Sequence, residues 1–427
     1  MTAAVVTGIG VAAPNGLGKG KFWAATLRGE SAIRAVRRFD VSRYPSRLGG
    51  ELDGFEPTAY LAGRLIPQTD RMTQIALAAS DWALADAGVA PGTYDTTAMG
   101  VATSGASGGL EYGQRELDNL WGAGPEHVSV YMSFAWFYAV NSGQISIRQG
   151  MRGPAGVLVS DQAGGLDAVA QARRNIRKGT RLILSGGADS SFCPYGWVSR
   201  MSSGALSTSD DPASAYLPFD VRAGGHVPGE GGAILVVEDA EAARSRGAHP
   251  YGEIAGYGAT FDAARRHGGA NRLRRAVEAA LADAGAAAAD IGVVFADGSG
   301  IPDDDRIEAE VIAAVFGPGA VPVTVPKTMT GRMNAGGAPV DLACALLSLR
   351  TRVIPPTVNV RTIPPGYEID LVIGESRPWR PGAALVLARG RGGFNSAMVV
   401  RCPAADGGGP AQHTTRKEDS RAADDIA

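Results

Sequence analysis

Cysteine and histidine are both scarce in this chain, which has three cysteines and five histidines among 427 residues. The cysteines, Cys193, Cys344 and Cys402, are widely separated and odd in number. This excludes a disulfide framework and leads us to expect a reducing, cytoplasmic location. No cysteine–histidine cluster has zinc spacing, so no metal is predicted. Cys193 follows an apolar strand and Cys344 lies in an apolar helix, so both are predicted to be structural.

Long apolar runs and net charge are also lacking. No uninterrupted apolar segment reaches membrane-spanning length, and Met1 to Val11 lack the pattern of a signal peptide. The formal net charge of −2 gives no electrostatic reason to expect nucleic acid or an anionic membrane as partner. The segment Gly8-Ile-Gly-Val-Ala-Ala13 has the form of a dinucleotide motif. However, the residues Pro14 to Gly18 interrupt the helix that such a site needs, so no nucleotide cofactor is expected.

The chain does have an internal repeat. The hexapeptide Ala-Leu-Ala-Asp-Ala-Gly occurs at residues 83–88 and again at 280–285. Each copy ends an Ala-rich helix at a glycine and is followed by an apolar strand and a glycine-rich loop. We therefore predict two copies of one α/β fold, over residues 1–248 and 249–403. Residues 404–427 lack apolar periodicity and are predicted to form a disordered polar tail.

A predicted sharp turn between strand and helix is the strongest functional motif. The apolar run from Gly156 to Ser160 leads into Asp161-Gln162-Ala163, and an amphipathic helix follows. A residue at such an elbow lies at a helix N-terminus, which favours developing negative charge, and many enzymes place a nucleophile there. Gln162 occupies that position here. Its amide cannot form a thioester, although it can donate and accept hydrogen bonds.

Three segments together resemble the β-ketoacyl synthases over residues 3–401. They are the opening Val5-Val-Thr-Gly-Ile-Gly10, the glycine-rich stretch Pro218–Gly232, and the elbow with its Gly165-Leu-Asp167. The resemblance implies the thiolase-like fold, a duplicated five-layer αβαβα architecture. It also implies that Gln162 stands where condensing members carry their catalytic cysteine.

The two catalytic histidines of that family are also missing at the matching positions. Asp297 precedes Gly-Ser-Gly300, and Arg332 follows Lys327-Thr-Met-Thr-Gly331, with Lys327 retained. An aspartate would oppose the enolate that those histidines stabilise. The resemblance therefore implies that the chain does not condense. Asp297 and Arg332 are expected to face each other and form a salt bridge.

The strings Asp161-Gln-Ala-Gly-Gly165 and Ser133–Asn141 resemble, more narrowly, the chain-length factors, or ketosynthase β subunits, of bacterial type II aromatic polyketide synthases. This implies a heterodimer with a ketosynthase α subunit and acyl groups carried on the phosphopantetheine of an acyl carrier protein, with no bound cofactor. Small and medium residues on one helical face, Leu110, Gly113 and Leu117, are predicted to form an open gate for a poly-β-ketone of decaketide size or longer. Packing against a neighbouring helix is the alternative for this face.

The roles of several other residues stay open between two alternatives. Gln162 either assists decarboxylation of malonyl thioester for priming or only fills the former cysteine pocket. The aromatic residues at 131–138 either contact the partner or belong to the core; the interface candidates are Phe134, Trp136, Phe137 and Tyr138. The acidic run Asp303–Glu308 is predicted to be a solvated or salt-bridged loop rather than a metal site, and His226 a packing residue. The alternative functions are a scaffolding partner without length control and a stand-alone malonyl-thioester decarboxylase.

Overall fold

The computed structural model describes residues 2–262, 272–379 and 382–403. The tail predicted for residues 404–427 lies outside the described residues. Within the described ranges, no helix is long and apolar enough to cross a membrane.

The described elements alternate between helices and strands along most of the chain. The helices are α1 (Lys19–Leu27), α2 (Arg71–Ala87), α3 (Leu110–Gly122), α4 (Met132–Ala135), α5 (Val140–Gln149), α6 (Gly164–Arg177), α7 (Pro194–Met201), α8 (Ala240–Ser245), α9 (Leu273–Ala284), α10 (Pro302–Phe316) and α11 (Gly337–Thr351). The strands are β1 (Ala4–Ala13), β2 (Gly16–Leu17), β3 (Ile33–Ala35), β4 (Leu48–Gly50), β5 (Met99–Ser104), β6 (Ala155–Leu158), β7 (Leu182–Asp189), β8 (Gly231–Asp239), β9 (Gly252–Phe261), β10 (Ile291–Phe295), β11 (Pro322–Thr324), β12 (Val353–Ile354), β13 (Asp370–Leu371), β14 (Arg377–Pro378), β15 (Ala383–Gly390) and β16 (Phe394–Arg401).

The strand order repeats between the two parts of the chain. The first part has the order β6-β5-β7-β8-β1, and the second has β11-β10-β15-β16-β9, with β13 added beside β11. In each part three strands are parallel and the last two are antiparallel. The two sets join where β1 pairs with β9, Val5 opposite Glu253 and Val6 opposite Gly252.

Helices cover both faces of each set of strands. Helices α6 and α11 contact each other between the two sets, α2 and α5 cover the outer face of the first, and α9 with α10 that of the second. Because the strands are covered on both sides, all of β1 and β8 is buried, and both are apolar except for Thr7, Glu238 and Asp239. The middle helix α11 is buried on nearly every face. The predicted duplicated five-layer αβαβα architecture is confirmed.

The repeated hexapeptide has the same structural role in both copies. Asp86 accepts a hydrogen bond from the Ile9 amide at 2.9 Å, and Asp283 accepts one from the Tyr257 amide at 2.9 Å. A Cβ on Gly10 would collide with the carbonyl oxygen of Ala79 in α2, and Gly258 meets α9 in the same way. The glycines of the Gly8–Ala13 motif therefore let a helix approach a strand closely. This use of glycine gives the motif a structural role in the packing of α2 on β1.

Both predicted helix ends are confirmed. Gly88 and Gly285 adopt left-handed conformations, with φ of 63° and 61°, directly after α2 and α9. The strand predicted over Gly156–Ser160 is shorter than expected, since β6 ends at Leu158. Asp161, with φ of 53°, has already turned the chain toward α6.

Candidate functional site

The elbow that carries Gln162 is held by contacts from both parts of the fold. Asp161 accepts a hydrogen bond from the Arg391 amide at 2.8 Å, which ties the turn to the loop between β15 and β16. Ser160 donates to the carboxylate of Asp167 in the first turn of α6. A Cβ on Gly165 would collide with Pro339 in α11, so the start of α6 requires a glycine there. The elbow is thereby fixed before any ligand is bound.

Gln162 is buried and hydrogen-bonded to two groups from the second part of the chain. With the amide oriented to match its neighbours, its oxygen accepts from Nη2 of Arg332 at 2.7 Å and also from Nε. Its nitrogen donates to the carbonyl oxygen of Asn334 at 3.3 Å. The opposite orientation would set amide hydrogens against guanidinium hydrogens, so the network assigns this one. The amide thus has partners for both of its ends.

Arg332 and Asp297 form the ion pair expected from the sequence. Nη2 of Arg332 lies 3.1 and 3.0 Å from the two carboxylate oxygens of Asp297, and Nη1 donates to the Asp297 carbonyl oxygen at 2.9 Å. Both side chains are buried. Burial disfavours a charged guanidinium, but the attraction of Asp297 outweighs it and raises the pKa of Arg332. The amide of Arg389 donates to Asp297 at 3.0 Å, so its carboxylate is further satisfied.

The acidic run after Asp297 differs from its prediction. Residues 303–308 form the first turns of α10 rather than a loop. Asp305 and Glu308 are buried and accept from the backbone amides of Phe219, Asp297, Gly298 and Gly300. Burial raises the pKa of both carboxyls to about 7. These two acids therefore shape the Asp297–Gly300 loop, which supports a structural role, whereas the expectation of a solvated loop was wrong for them.

Lys327 and His226 also adjoin the site. The Lys327 ammonium lies 2.7 Å from the Asp341 carboxylate and donates to the Ala296 carbonyl oxygen at 2.7 Å, with both charges buried. His226 is partly buried, and its ring lies edge-on to Tyr216. Burial and the nearby charge of Arg332 lower the pKa of His226 well below its usual value. Lys327 is thus held in a buried ion pair, and His226 is a neutral wall of the site.

A cavity of about 980 Å³ opens over these residues. Gln162, Asp297 and Arg332 line it, together with Leu110 from α3. Further lining residues that the sequence reasoning missed are Ser107, Arg200, Asn334, Arg389 and Arg391. They lie in loops, in helices and, for Arg389, in strand β15, with no recognisable spacing, so only the tertiary structure brings them together.

The three predicted gate residues do not all reach this cavity. Leu110 lines it, whereas Gly113 and Leu117 are absent from its wall. Gly113 is buried, and a Cβ there would lie 3.7 Å from Cβ of Trp136. Leu117 is 41% exposed. The face therefore runs from the cavity, past an aromatic side chain, to the protein surface.

The predicted interface aromatics lie largely on the surface. Trp136, Phe137 and Tyr138 are exposed and in ring contact with one another, while Phe134 is partly buried against Tyr131. The alternative of burial in the core is thus wrong for the three exposed side chains. Leu117, one of the predicted gate residues, is also exposed in this part of the sequence. So are four apolar side chains for which the sequence predicted no role: Trp121, Val130, Ile147 and Val159. We call these five side chains, with Trp136, Phe137 and Tyr138, the apolar face.

Strand β6 adjoins the apolar face and has an unpaired edge among the described residues. It pairs only with β5 and ends the strand order on that side. Its residues are exposed or half-buried, and none is charged or proline. An unprotected apolar edge is a template for pairing with another chain. This feature could have been found from the sequence only with knowledge of the strand order.

None of the three cysteines lies at the elbow. Cys193 is buried at the N-terminus of α7, where burial raises the pKa of its thiol to about 11. Cys344 is buried inside α11, and burial raises its pKa well above the usual value. Cys402 is exposed at the end of the described chain. Within the described ranges, no group of three or more histidine, cysteine or acidic side chains is arranged to hold a metal ion.

Comparison with known proteins gives a consistent result. Residues 1–243 match the N-terminal domain of β-ketoacyl synthases, and residues 251–361 match the C-terminal domain. The chain is 58% identical over 399 residues to the tetracenomycin polyketide synthase ketoacyl synthase beta subunit of Streptomyces glaucescens, covering 93% of this chain and 98% of that protein. It is 54% identical over 402 residues to a polyketide beta-ketoacyl synthase 2 of Streptomyces virginiae, covering 94% of this chain and 99% of that protein.

Solved structures agree with these sequence relatives. The ishigamide ketosynthase/chain length factor has a TM-score of 0.88 and 27% identity, covering 94% of this chain and 100% of that one. A type II polyketide synthase acyl-carrier protein in complex with its ketosynthase, bound to the hexaketide, gives a TM-score of 0.84 and 25% identity, covering 94% of this chain and 100% of that one. The similarity thus extends over nearly the whole chain in both sequence and structure.

Proposed function

This chain belongs to the β-ketoacyl synthase family, among the ketosynthase β subunits of type II polyketide synthases, and on that basis we propose that it is a non-condensing chain-length factor. It pairs with a ketosynthase α subunit and sets the length of a poly-β-ketone, of decaketide size or longer. The growing chain is carried on the phosphopantetheine of an acyl carrier protein and on the partner's cysteine. The chain itself needs no bound cofactor.

The hydrogen-bonded set of Gln162, Arg332 and Asp297 carries the proposal. In condensing relatives these three positions hold a cysteine and two histidines. Here the elbow side chain has no nucleophilic atom, and its amide is bonded to Arg332 and Asn334. The Asp297 carboxylate would oppose an enolate, and Arg332 is already paired with it. The set supports a site that has lost condensation and is held together as a folded core.

The apolar face and the edge of β6 support the partner assignment. Eight large apolar side chains are exposed between residues 117 and 159, among them Trp121, 82% exposed, and Ile147, 77% exposed, which is unusual for a protein that acts alone. The edge of β6 adds unpaired backbone groups beside it. The relative named as a ketosynthase/chain length factor and the relative solved with an acyl-carrier protein indicate which partners to expect. We therefore assign this surface to the ketosynthase α subunit.

Transfer of an acyl group tests the non-condensing role directly. We expect the purified αβ complex, incubated with acyl-loaded carrier protein, to take the acyl group on the α subunit alone. Gln162 offers no nucleophile, and burial keeps Cys193 and Cys344 protonated. Intact-mass measurement of each subunit provides the readout. A Cys402→Ser variant controls for adventitious acylation of the exposed thiol. A stoichiometric adduct on this chain that persists in that variant would refute the proposal.

The bonded state of Gln162 favours the pocket-filling alternative over a part in priming. We expect Gln162→Ala to leave malonyl-carrier decarboxylation by the αβ complex within about twofold of the parent. Arg332 keeps Asp297 as its partner in this variant. Release of carbon dioxide from labelled malonyl-carrier protein measures the rate, with Gln171→Ala, in the helix α6 that follows the elbow, as a control. A loss of about 100-fold or more, typical for removal of a catalytic proton-transfer group, would instead assign Gln162 to decarboxylation.

A further inference from the structure

Helix α3 carries the predicted gate face, yet it has no cap of its own. Its N-cap residue is Gly109, which offers no side-chain oxygen to the free amides of the first turn. The carboxylate of Asp70 takes that place from another element. Its Oδ2 accepts from the Tyr112 amide at 2.8 Å. Asp70 thus caps the helix from outside.

The same carboxylate also caps a second helix. Asp70 directly precedes α2, and its Oδ1 accepts from the Met72 amide at 2.8 Å. Helix α2 packs on β1 and β8 and belongs to the rigid outer layer of the fold. One buried carboxylate therefore bonds to the first turns of both helices. It links α3 to α2 and helps to fix the position of α3 relative to α2.

Packing around Asp70 leaves little freedom at this junction. A Cβ on Gly109 would lie 2.9 Å from Cβ of Asp70 and would collide with the Ala135 carbonyl oxygen. The chain entering α3 is therefore held between Asp70 and α4. Leu110, the gate residue that lines the cavity, is the next residue. A shift of the first turn of α3 would move Leu110 directly.

The rest of α3 is held from a different side. The hydroxyl of Tyr112 donates to the Pro67 carbonyl oxygen at 3.2 Å and lies in hydrogen-bond distance of the Ser129 hydroxyl, at 3.0 Å. The buried carboxylate of Glu116 accepts from the Ser129 amide at 2.8 Å. These contacts fix the middle of the helix. The first turn, with Leu110, is held by Asp70 together with a partly exposed ion pair between Arg38 and Glu111, 2.7 Å apart.

We infer that Asp70 is a positioning residue for chain-length control, because it fixes the first turn of α3 and with it the part of the gate that faces the cavity. This inference rests on the proposed function. Asp70 touches no substrate and acts only through α3. Loss of its bond to Tyr112 should let the gate adopt several positions, so that chains of more than one length are released.

Asp70→Asn separates the two caps. Asparagine is as good an N-cap as aspartate, so α2 keeps its cap. Its amide has a single acceptor oxygen, however, so one of the two backbone amides loses its partner. We expect the fraction of off-length products to rise roughly fivefold, in line with loss of one ordinary hydrogen bond, about 1 kcal/mol. Total turnover and recovery of the αβ complex should change little. Products are quantified by liquid chromatography and mass spectrometry.

A matched control is Asp239→Asn. Asp239 caps α8 through the Ala242 amide at 2.8 Å and is equally buried, but it lies away from α3. We expect this variant to keep the parent length distribution. Hydrogen exchange of the peptide that spans the first turn of α3 provides a direct readout, and exchange there should accelerate in Asp70→Asn alone. If Asp70→Asn does not assemble, Asp70→Ser takes its place, since serine also caps α2.

The outcomes distinguish this inference from the function on which it rests. An unchanged length distribution in Asp70→Asn, with Gly113→Phe shortening the product, would overturn the positioning role and leave the chain-length factor intact. Unchanged lengths in both variants would remove length control itself. A broadened distribution in Asp239→Asn as well would assign the effect to general loosening and overturn the role of Asp70.

Discussion

Gly113→Phe is expected to shorten the poly-β-ketone by at least one extension unit in the αβ complex. Gly113 is buried in α3, and a Cβ there would already be in van der Waals contact with Trp136, at 3.7 Å. A phenylalanine ring must therefore displace Trp136 or turn toward the space beside Leu110. Either movement narrows the path along the gate face. The added helix propensity, about 1 kcal/mol over glycine at most, supports α3 rather than weakening it.

The matched control for this prediction is Gly122→Phe. Gly122 ends the same helix, and a Cβ there would meet nothing within 4 Å. This variant should give the parent product. Co-purification of the two subunits shows whether each variant still assembles. Unchanged length in an assembled Gly113→Phe complex would favour a scaffolding partner, with length control elsewhere.

The second large effect concerns stability. Asp297→Ala should lower the free energy of unfolding by about 3–5 kcal/mol, because it leaves the buried Arg332 guanidinium without a counter-charge. The ion pair has two contacts near 3 Å, and both side chains are buried. The variant also removes the acceptor of the Arg389 amide. Denaturant unfolding of the purified αβ complex measures the change.

Removing both charges of the Asp297–Arg332 pair should lower the free energy of unfolding less than removing Asp297 alone. We expect the double variant Asp297→Ala with Arg332→Met to recover much of the loss, since no unpaired charge remains buried. Glu278→Ala is the surface control: its pair with Arg274 is exposed and spans one helical turn, so the cost should stay below about 0.5 kcal/mol. A loss for Asp297→Ala no larger than this control would show that the pair does not hold the site together.

The sequence predicts the fold well because its clearest patterns have local causes. The repeated hexapeptide combines a helix end, a glycine cap and an aspartate that binds a strand amide. Both copies make these same contacts. The elbow is equally local, since its strand, turn and helix are adjacent in the chain. The resemblance to the β-ketoacyl synthases then predicts how the two halves pack together, in five layers.

The site is less predictable because its decisive contacts join distant segments. Helical spacing places Leu110 and Leu117 on one face, but it cannot tell that α3 leaves the cavity and exposes Leu117. A run of acidic residues is typical of a solvated segment. Asp305 and Glu308 are nevertheless buried, because backbone amides outside α10 need acceptors. Phe219 is distant in sequence and donates to Asp305, and the Asp297–Gly300 loop donates to Glu308.

The added strand β13 affects how many other chains can pair with the edges of the large sheet. By strand order, β6 and β11 are equivalent positions in the two halves, and β13 pairs with β11, Val323 opposite Leu371. The second half thus ends in a strand of two residues, too short to be a good template, whereas the first half ends in the open edge of β6. Within the large sheet, over the residues that the structure describes, β6 is the end that offers an edge long enough for pairing, so that sheet can be extended in one direction. Two such molecules form a closed pair, while one that is open at both ends would polymerise into a filament.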